Sequence, residues 1–576
     1  MLIWKRLCKN DRYRKGKTKV MKKKYREWII TGILGGILAF MAVYGWQSSM
    51  KYDTFLLQAG IWRKVGQLSG AGCVCAFTVL FSFFTGLLHF GYSRLNNRGK
   101  KEKPESAWKS WQQWLLTGGI LYGCYLILLI CCYPGFYNYD MGNQLPQIMY
   151  PEVPFNAHHP LLHTIVGGGI ITIGYHLRSV DLTFGVFLYN AVQMAICASC
   201  FSYGIVFMYR KTGNRILVIL SEAFYILCPP VAMYAMSTTK DVTCYAFLLV
   251  AVLKIYQIYA ELDAGREPTG KQWIITGILL CAACLLRNNI VYALPFAAVF
   301  AVILVSYRRK QQILFWIFMI IMPFLLNKGL MIAVDAAPGS AAEALSVPFQ
   351  QIARVYVDKG EEAFTREELE YLYTCIDPGN FEMYNPIIAD EIKTAFWRHL
   401  DVIMADKGKA IKFWIKKGLQ YPMCYIESFL DNTYQAWYPL TRLHDMKMNR
   451  YFVMSDWNEE YARPKVPQVY NFYVAMSEDS YAKWPVLRLF CVTGTMFTML
   501  LISTFYAWWC KDRPAGISFL MTLLVVGTCM CGPVSDIRYY LILFELFPIL
   551  LGYLYAAGKN IEGTLQEGTG RKNGAK

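Results

Sequence analysis

The stretch Tyr133–Leu162 reads YPGFYNYDMGNQLPQIMYPEVPFNAHHPLL. It leaves an apolar run at Tyr133, carries no lysine or arginine, and frames one carboxylate, Asp140, with Tyr133, Phe136, Tyr137 and Tyr139. His158, His159 and His163 crowd its far end. Prolines and glycines recur from Pro134 to Pro160, which interrupts helical hydrogen bonding and predicts a shaped loop between apolar helices. Such a loop at the mouth of a membrane span is a place for chemistry, because a rigid scaffold holds its side chains in position. The plainer reading is a solvated connector with one ordinary aspartate. The other unusual residues of the chain decide between the two.

Working outward, the 576 residues are 55% hydrophobic and 16% aromatic. Soluble domains hold about 45–50% apolar residues, so this is a membrane composition. The formal charge of +18 would suit nucleic acid, but the basic residues punctuate apolar runs and form no continuous basic face. That distribution excludes a nucleic-acid partner. Most of the 18 cysteines lie in apolar runs, among them Cys73, Cys75, Cys281 and Cys284, and read as small packing residues rather than zinc ligands. Cys375 and Cys424, in a polar segment, are candidates for a disulfide.

Residues 1–27 form a basic tail with twelve Lys/Arg. Two spans follow within 28–111, Trp28–Trp46 and Gly72–Tyr92, then a third at Gln112–Tyr133. His159–Leu177 is apolar but short, with Gly167-Gly168-Gly169 inside it. If it crossed the bilayer, the basic loop Tyr209–Arg215 would face outward, so it reads as a helix lying along the outer surface. Further spans run Thr183–Met208, Ile216–Tyr234, Val242–Tyr259, Trp273–Leu286, Ile290–Ser306 and Ile313–Val334. Residues 335–484 form a polar, mostly helical segment, with a capping box at Thr365 and Glu368. Residues 485–556 hold Pro485–Trp509, Ala515–Cys531 and Tyr539–Ala556, and 557–576 form a second tail. The expected fold is an all-α polytopic membrane protein of about twelve transmembrane helices, both tails cytoplasmic and the polar segment extracytoplasmic. The cytoplasmic segments then carry 32 Lys/Arg against about seven on short outward ones.

Four polar clusters fall at the outer ends of spans: Asp140 with His158 and His159; Ser237-Thr238-Thr239-Lys240-Asp241; Arg287-Asn288-Asn289; and Asp536-Ile537-Arg538. Charges at membrane depth are expensive and usually face a cavity or a partner. Basic residues there suit a phosphate, and a carboxylate opposite suits a general base. The candidate base is Asp140. Candidate substrate-binding residues are Lys240, Asp241, Arg287, Asn288, Arg538, His158 and His159. The plainer readings stay open: Lys240 and Asp241 as a helix start, Arg287 as a hairpin marker, Asp536 with Arg538 as a local ion pair. The histidines with Asp140 are also candidate ligands for a divalent metal.

The order of these pieces resembles the GT-C superfamily of integral-membrane glycosyltransferases. An acidic residue sits in an outward loop, YPGFYNYDMGNQ. His159-Pro160-Leu161 then opens a juxtamembrane helix, and a basic residue follows in a later hairpin, LLRNNIVYALP. The resemblance covers residues 112–334, with the catalytic loop at 134–182, and extends more loosely to GPVSDIRYYLILFELFP. It implies a transferase in the cell membrane with an extracytoplasmic active site. Such an enzyme moves a sugar from a polyprenyl-phosphate donor to a lipid-linked glycan, cell-wall polymer or protein. A transporter or flippase for a lipid-linked glycan is the alternative; it favours mid-span charges and inverted repeats. The chain departs from the family pattern in having one acid, not an acidic pair, between Tyr133 and Pro151, two spans before the core and the polar segment between spans.

Overall fold

A computed structural model describes residues 2–52 (side chains from Met21), 68–96, 109–441, 461–478 and 484–557. Among these, every regular element is a helix, and strand-like pairing is confined to three isolated bridges. The chain is an all-helical, polytopic membrane protein. Eight helices are long and apolar enough to cross a bilayer: Met21–Tyr52, Gly70–Asn96, Ser110–Cys131, Leu182–Thr212, Lys240–Asp263, Arg309–Ala333, Arg513–Met530 and Ile537–Ala556. A ninth arises if Arg215–Leu227 and Pro229–Ala235, bent by 61°, count as one span. The bend falls at Pro229 and Pro230, whose rings remove helical N–H donors.

The expected twelve spans are not reached, and the shortfall has a local cause. Gly270–Leu286, 17 residues long, stops at Arg287, whose backbone is extended. At roughly 26 Å it stands at the short edge of what crosses a hydrocarbon core of about 30 Å. A 3-10 turn, Asn288–Ala293, and the short helix Leu294–Leu304 follow. The expected span Pro485–Trp509 is likewise split at Val492 into Pro485–Cys491 and Thr493–Cys510. The basic tail 1–27 is the first part of one continuous helix, Leu2–Tyr52. Most of the basic loop Ser93–Trp111, and residues 558–576 of the second tail, lie outside the described residues.

Leu161–Leu177 forms a helix as expected. Its contacts move from residue 163 opposite Tyr189 to residue 174 opposite Gly185. Glycines permit the approach: a β-carbon on Gly174 would lie 2.6 Å from Gly185 Cα. Small residues at helix crossings are the usual device in membranes, where apolar side chains gain nothing by leaving lipid.

The polar segment packs around its own core of Phe349, Ile352, Leu372, Phe381, Ile392 and Phe396. The capping box forms, with Thr365 N donating to Glu368 Oε2 (2.8 Å) and Glu368 N to Thr365 Oγ1 (3.3 Å). Cys375 and Cys424 are separate buried thiols, so the disulfide candidate is not realised. The segment is fastened into the bundle. Its helix Pro422–Trp437 carries buried Asp431, which accepts from Tyr44 (3.0 Å), Ser48 (3.2 Å) and Tyr52 (2.7 Å) of the first span and from Arg354 (3.3 Å). Asn432 Nδ2 donates to Gly532 O at 3.2 Å, and Ala389 N to Pro533 O at 2.7 Å. These two bonds hold the loop that carries Asp536 and Arg538.

Candidate functional site

The site begins where Ser110–Cys131 ends. Gly135, at φ +94°, turns the chain back, and a β-carbon there would meet Met236 O at 2.7 Å. The close approach lets Phe136 N donate to Met236 O (2.8 Å) and Thr238 N to Phe136 O (2.9 Å). Asn138 N then donates to Thr238 Oγ1 at 2.8 Å. The catalytic-loop candidate and the Ser237–Asp241 cluster are thereby laid side by side.

Three of the charged residues are aimed by the same local device. Asn138 accepts from Asp140 N (3.0 Å), Thr239 from Asp241 N (3.4 Å) and Asp536 from Arg538 N (3.2 Å). Each acceptor is a helix N-cap, and each charged residue stands two positions on, in the first turn. For Asp140 and Asp241 the positive end of the helix dipole adds support.

The charges meet on Asp140. Lys240 Nζ donates to Asp140 Oδ2 at 2.7 Å and Arg538 Nη1 donates to the same oxygen at 3.0 Å. His159 Nδ1 stands 4.0 Å from it. Oδ1 takes no hydrogen bond among the described residues. Arg538 also pairs with Asp536 (2.9 Å) and donates to the hydroxyls of Tyr139 and Tyr539. Arg287 pairs with Asp241 and donates to Asn289 Oδ1 at 3.2 Å. The Tyr539 ring links the two guanidiniums, with Arg287 4.6 Å and Arg538 5.0 Å from its centroid. Asp140 is 3% exposed, Asp241 0% and Arg538 4%. Three cations and three carboxylates thus balance in a nearly dry site, which their own pairing closes.

Burial alone would push the Asp140 carboxyl up, but Arg538 and Lys240 outweigh it and hold it well below the usual carboxylate range. Burial drives His159 down to about 4, against the pull of Asp140, so its ring is neutral at pH 7. Asp536 is raised to about 6 by burial, with Arg538 offsetting only part.

Asp140, His159, Lys240, Asp241, Arg287 and Arg538 are therefore brought together. His158 is exposed and only packs its ring edge-on against His159, 4.8 Å between centroids. Asn288 is also exposed; its neighbour Asn289 holds Arg287 and donates to Thr528 Oγ1 at 2.9 Å. Sequence reasoning does not single out Tyr539 or the cap Asn138, and it names Tyr139, Thr239 and Asn289 only as members of their stretches, without a role. An Asn, Thr or Asp two residues before a charge was the signal that could have found the caps. Behind the site, His163 bridges Gln144 Oε1 (2.6 Å) and Tyr189 OH (2.7 Å). It is a buried structural partner of the loop.

A divalent metal does not fit these residues. Among the described residues no group of three His, Cys, Asp or Glu side chains could hold one. Asp140 Oδ2 is already covered by two cations, and a metal there would meet both.

No curated protein and no solved structure matches the chain. A protein-family profile does, over residues 148–560, which takes in Lys240, Asp241, Arg287 and Arg538 and starts after Asp140. The chain belongs to that family, described as a family of unknown function (DUF6020).

Proposed function

We propose that this chain is an integral-membrane glycosyltransferase of the GT-C type. It takes a sugar from a polyprenyl-phosphate donor at the extracytoplasmic face of the cell membrane and passes it to a lipid-linked glycan, cell-wall polymer or protein. The observation that carries the reading is the meeting of Lys240 and Arg538, from distant parts of the chain, on the single carboxylate of Asp140. One buried and one half-buried cation at a helix mouth suit a phosphate that enters from the bilayer interface.

The ion pairs also set an order of events. With Lys240 and Arg538 on Oδ2, Asp140 is a poor base. A donor phosphate offers the two cations a second anion and draws them from the carboxylate. Asp140, with less positive charge around it, then accepts the proton of the acceptor hydroxyl. That oxygen forms the new bond to the anomeric carbon, and the bond from that carbon to the phosphate oxygen breaks, its electron pair leaving with the phosphate. Lys240 and Arg538 stabilise the leaving charge.

The test is purified protein in detergent with a panel of polyprenyl-phosphate sugars and glycan or peptide acceptors. Release of polyprenyl phosphate with sugar on the acceptor is the expected result. No release from any donor, with the protein folded, would sink the reading. One observation favours the transporter alternative: Glu545, in the last span, is wholly buried and neither carboxyl oxygen has a hydrogen-bond partner among the described residues. Buried membrane carboxyls often carry protons in transporters. On the transferase reading, Glu545→Gln leaves sugar transfer unchanged.

A further inference from the structure

The bundle has a second polar site, far from Asp140. Helix Lys240–Asp263 starts at the ion cluster, and Asp263 is roughly 35 Å further along it at 1.5 Å per residue. At that end a cavity of about 400 Å³ opens among the helix termini. Its rim holds Lys211, Asp263, Lys511 and Asp512; its inner wall holds Val252, Phe519 and Ile549. Val252 lies about 16 Å below Asp263 along their helix. The lining therefore passes from charged to apolar over a length that suits an amphiphile rather than a soluble metabolite.

The rim carries both signs of charge. Arg513 neutralises Asp263 at 3.0 Å. Asp512 accepts Ala515 N at 3.1 Å and the Tyr553 hydroxyl at 3.3 Å, both uncharged donors. Burial pushes its carboxyl up, and these two bonds with the nearby Lys211 charge offset only part of that. A cationic hydrogen-bond donor would complete the site. Across the rim, Lys211 Nζ lies 5.0 Å from the Tyr256 ring centroid.

We propose that this cavity binds a phospholipid with a primary-amine head group, such as phosphatidylethanolamine. The ammonium lies against Asp512, the phosphate against Lys211 and Lys511, and one acyl chain lies along Val252, Phe519 and Ile549. A primary ammonium donates N–H bonds to a carboxylate. A choline head has no N–H to give, and a glycerol head has no cation. The site is independent of the sugar-transfer reading, since none of its residues touches the Asp140 cluster.

The experiment is thermal unfolding of the full chain in detergent, with added phosphatidylethanolamine, phosphatidylcholine or phosphatidylglycerol of identical acyl chains. Phosphatidylethanolamine should give a saturable rise in Tm that exceeds those of the other two. Asp512→Asn keeps the helix cap, because the amide oxygen still accepts from Ala515 N. This variant should erase the difference between the ethanolamine and choline lipids. Lys211→Gln should weaken binding of all three roughly tenfold, the loss of one charge-assisted contact. Equal shifts for the three lipids, or a preference unchanged by Asp512→Asn, would overturn the proposal. Native mass spectrometry of the unaltered chain gives a second reading should a variant fail to fold. One retained phosphatidylethanolamine, with choline and glycerol lipids stripped, supports the site; equal stripping of all three refutes it.

Discussion

Replacing Asp140 with Asn should slow the reaction while tightening the grip on the donor. The carboxylate holds Lys240 at 2.7 Å and Arg538 at 3.0 Å on one oxygen, in a place only 3% exposed. Removing one member of a buried ion pair costs about 3–5 kcal/mol because the partner's charge is left uncompensated. Here the low end applies, about 3 kcal/mol, since Asn still accepts hydrogen bonds and Arg538 keeps Asp536 at 2.9 Å. Lys240 has no second carboxylate within ion-pair reach among the described residues. Lys240 then awaits an anion without competition, Arg538 shares its charge with Asp536 alone, and a donor phosphate gains what the carboxylate gave up. A charge-assisted hydrogen bond is worth about 1.5–3 kcal/mol, so donor affinity should rise at least roughly tenfold. Turnover should fall by roughly 10²–10⁴-fold, because the amide cannot take the acceptor's proton. Donor affinity by calorimetry and single-turnover sugar transfer, on one preparation, read the two effects. Turnover within about a factor of three of the unaltered chain would remove Asp140 as the base, a factor small beside the general-base range. Weakened donor binding would refute the competition between carboxylate and phosphate.

Arg287→Gln strands the fully buried Asp241, so it should cost about 3–5 kcal/mol in unfolding experiments. Asn288→Ala, at an exposed position, should stay within about 0.5 kcal/mol. His159 titrates near 4 in the fold and about 6.5 in the unfolded chain, so its contribution is full above about pH 6.5 and is lost as pH falls toward 4. Unfolding midpoints of His159→Gln should therefore fall less steeply on acidification through that window. Asp536, raised to about 6, acts the other way. Its contribution is full below about pH 4 and lost as pH rises through 6, and Asp536→Asn should abolish that loss. Single cysteines at Lys310 and Lys407 should label from opposite sides of the membrane. Labelling from the same side would contradict the proposed topology.

Much of the architecture was legible because the bilayer imposes a simple rule on sequence. Long apolar runs bounded by charge become helices, and the helices from Leu182 to Thr212 and from Lys240 to Asp263 follow it. The runs on either side of Arg287 and the run around Val492 each contain a local event that hydropathy does not register. Arg287 interrupts an apolar stretch because Asp241 takes its guanidinium, and the backbone breaks there on both sides. Val492 divides another. The fold of residues 335–484 was legible only as amphipathic helices and one capping box. That the segment reaches into the bundle through Asp431, Tyr434 and Trp437 was not, since those contacts join positions hundreds of residues apart.

The candidate site divides along the same line. Its charged residues stand out in the sequence because charge is rare in apolar surroundings, and that rarity singled out Asp140, Lys240, Asp241, Arg287 and Arg538 before any geometry was known. Partner choice was settled by tertiary contacts alone. Asp140 could have faced a metal held by His158 and His159. It faces Lys240 and Arg538, because the Phe136–Thr238 backbone bridge and the anchors at Gly532 and Pro533 carry those cations to it. Asn288 and Asn289 are indistinguishable as letters, and only the 3-10 turn after Arg287 sends one outward and the other onto the guanidinium. A sequence records which side chains are costly to bury, and the packing of distant segments fixes which of them share that cost.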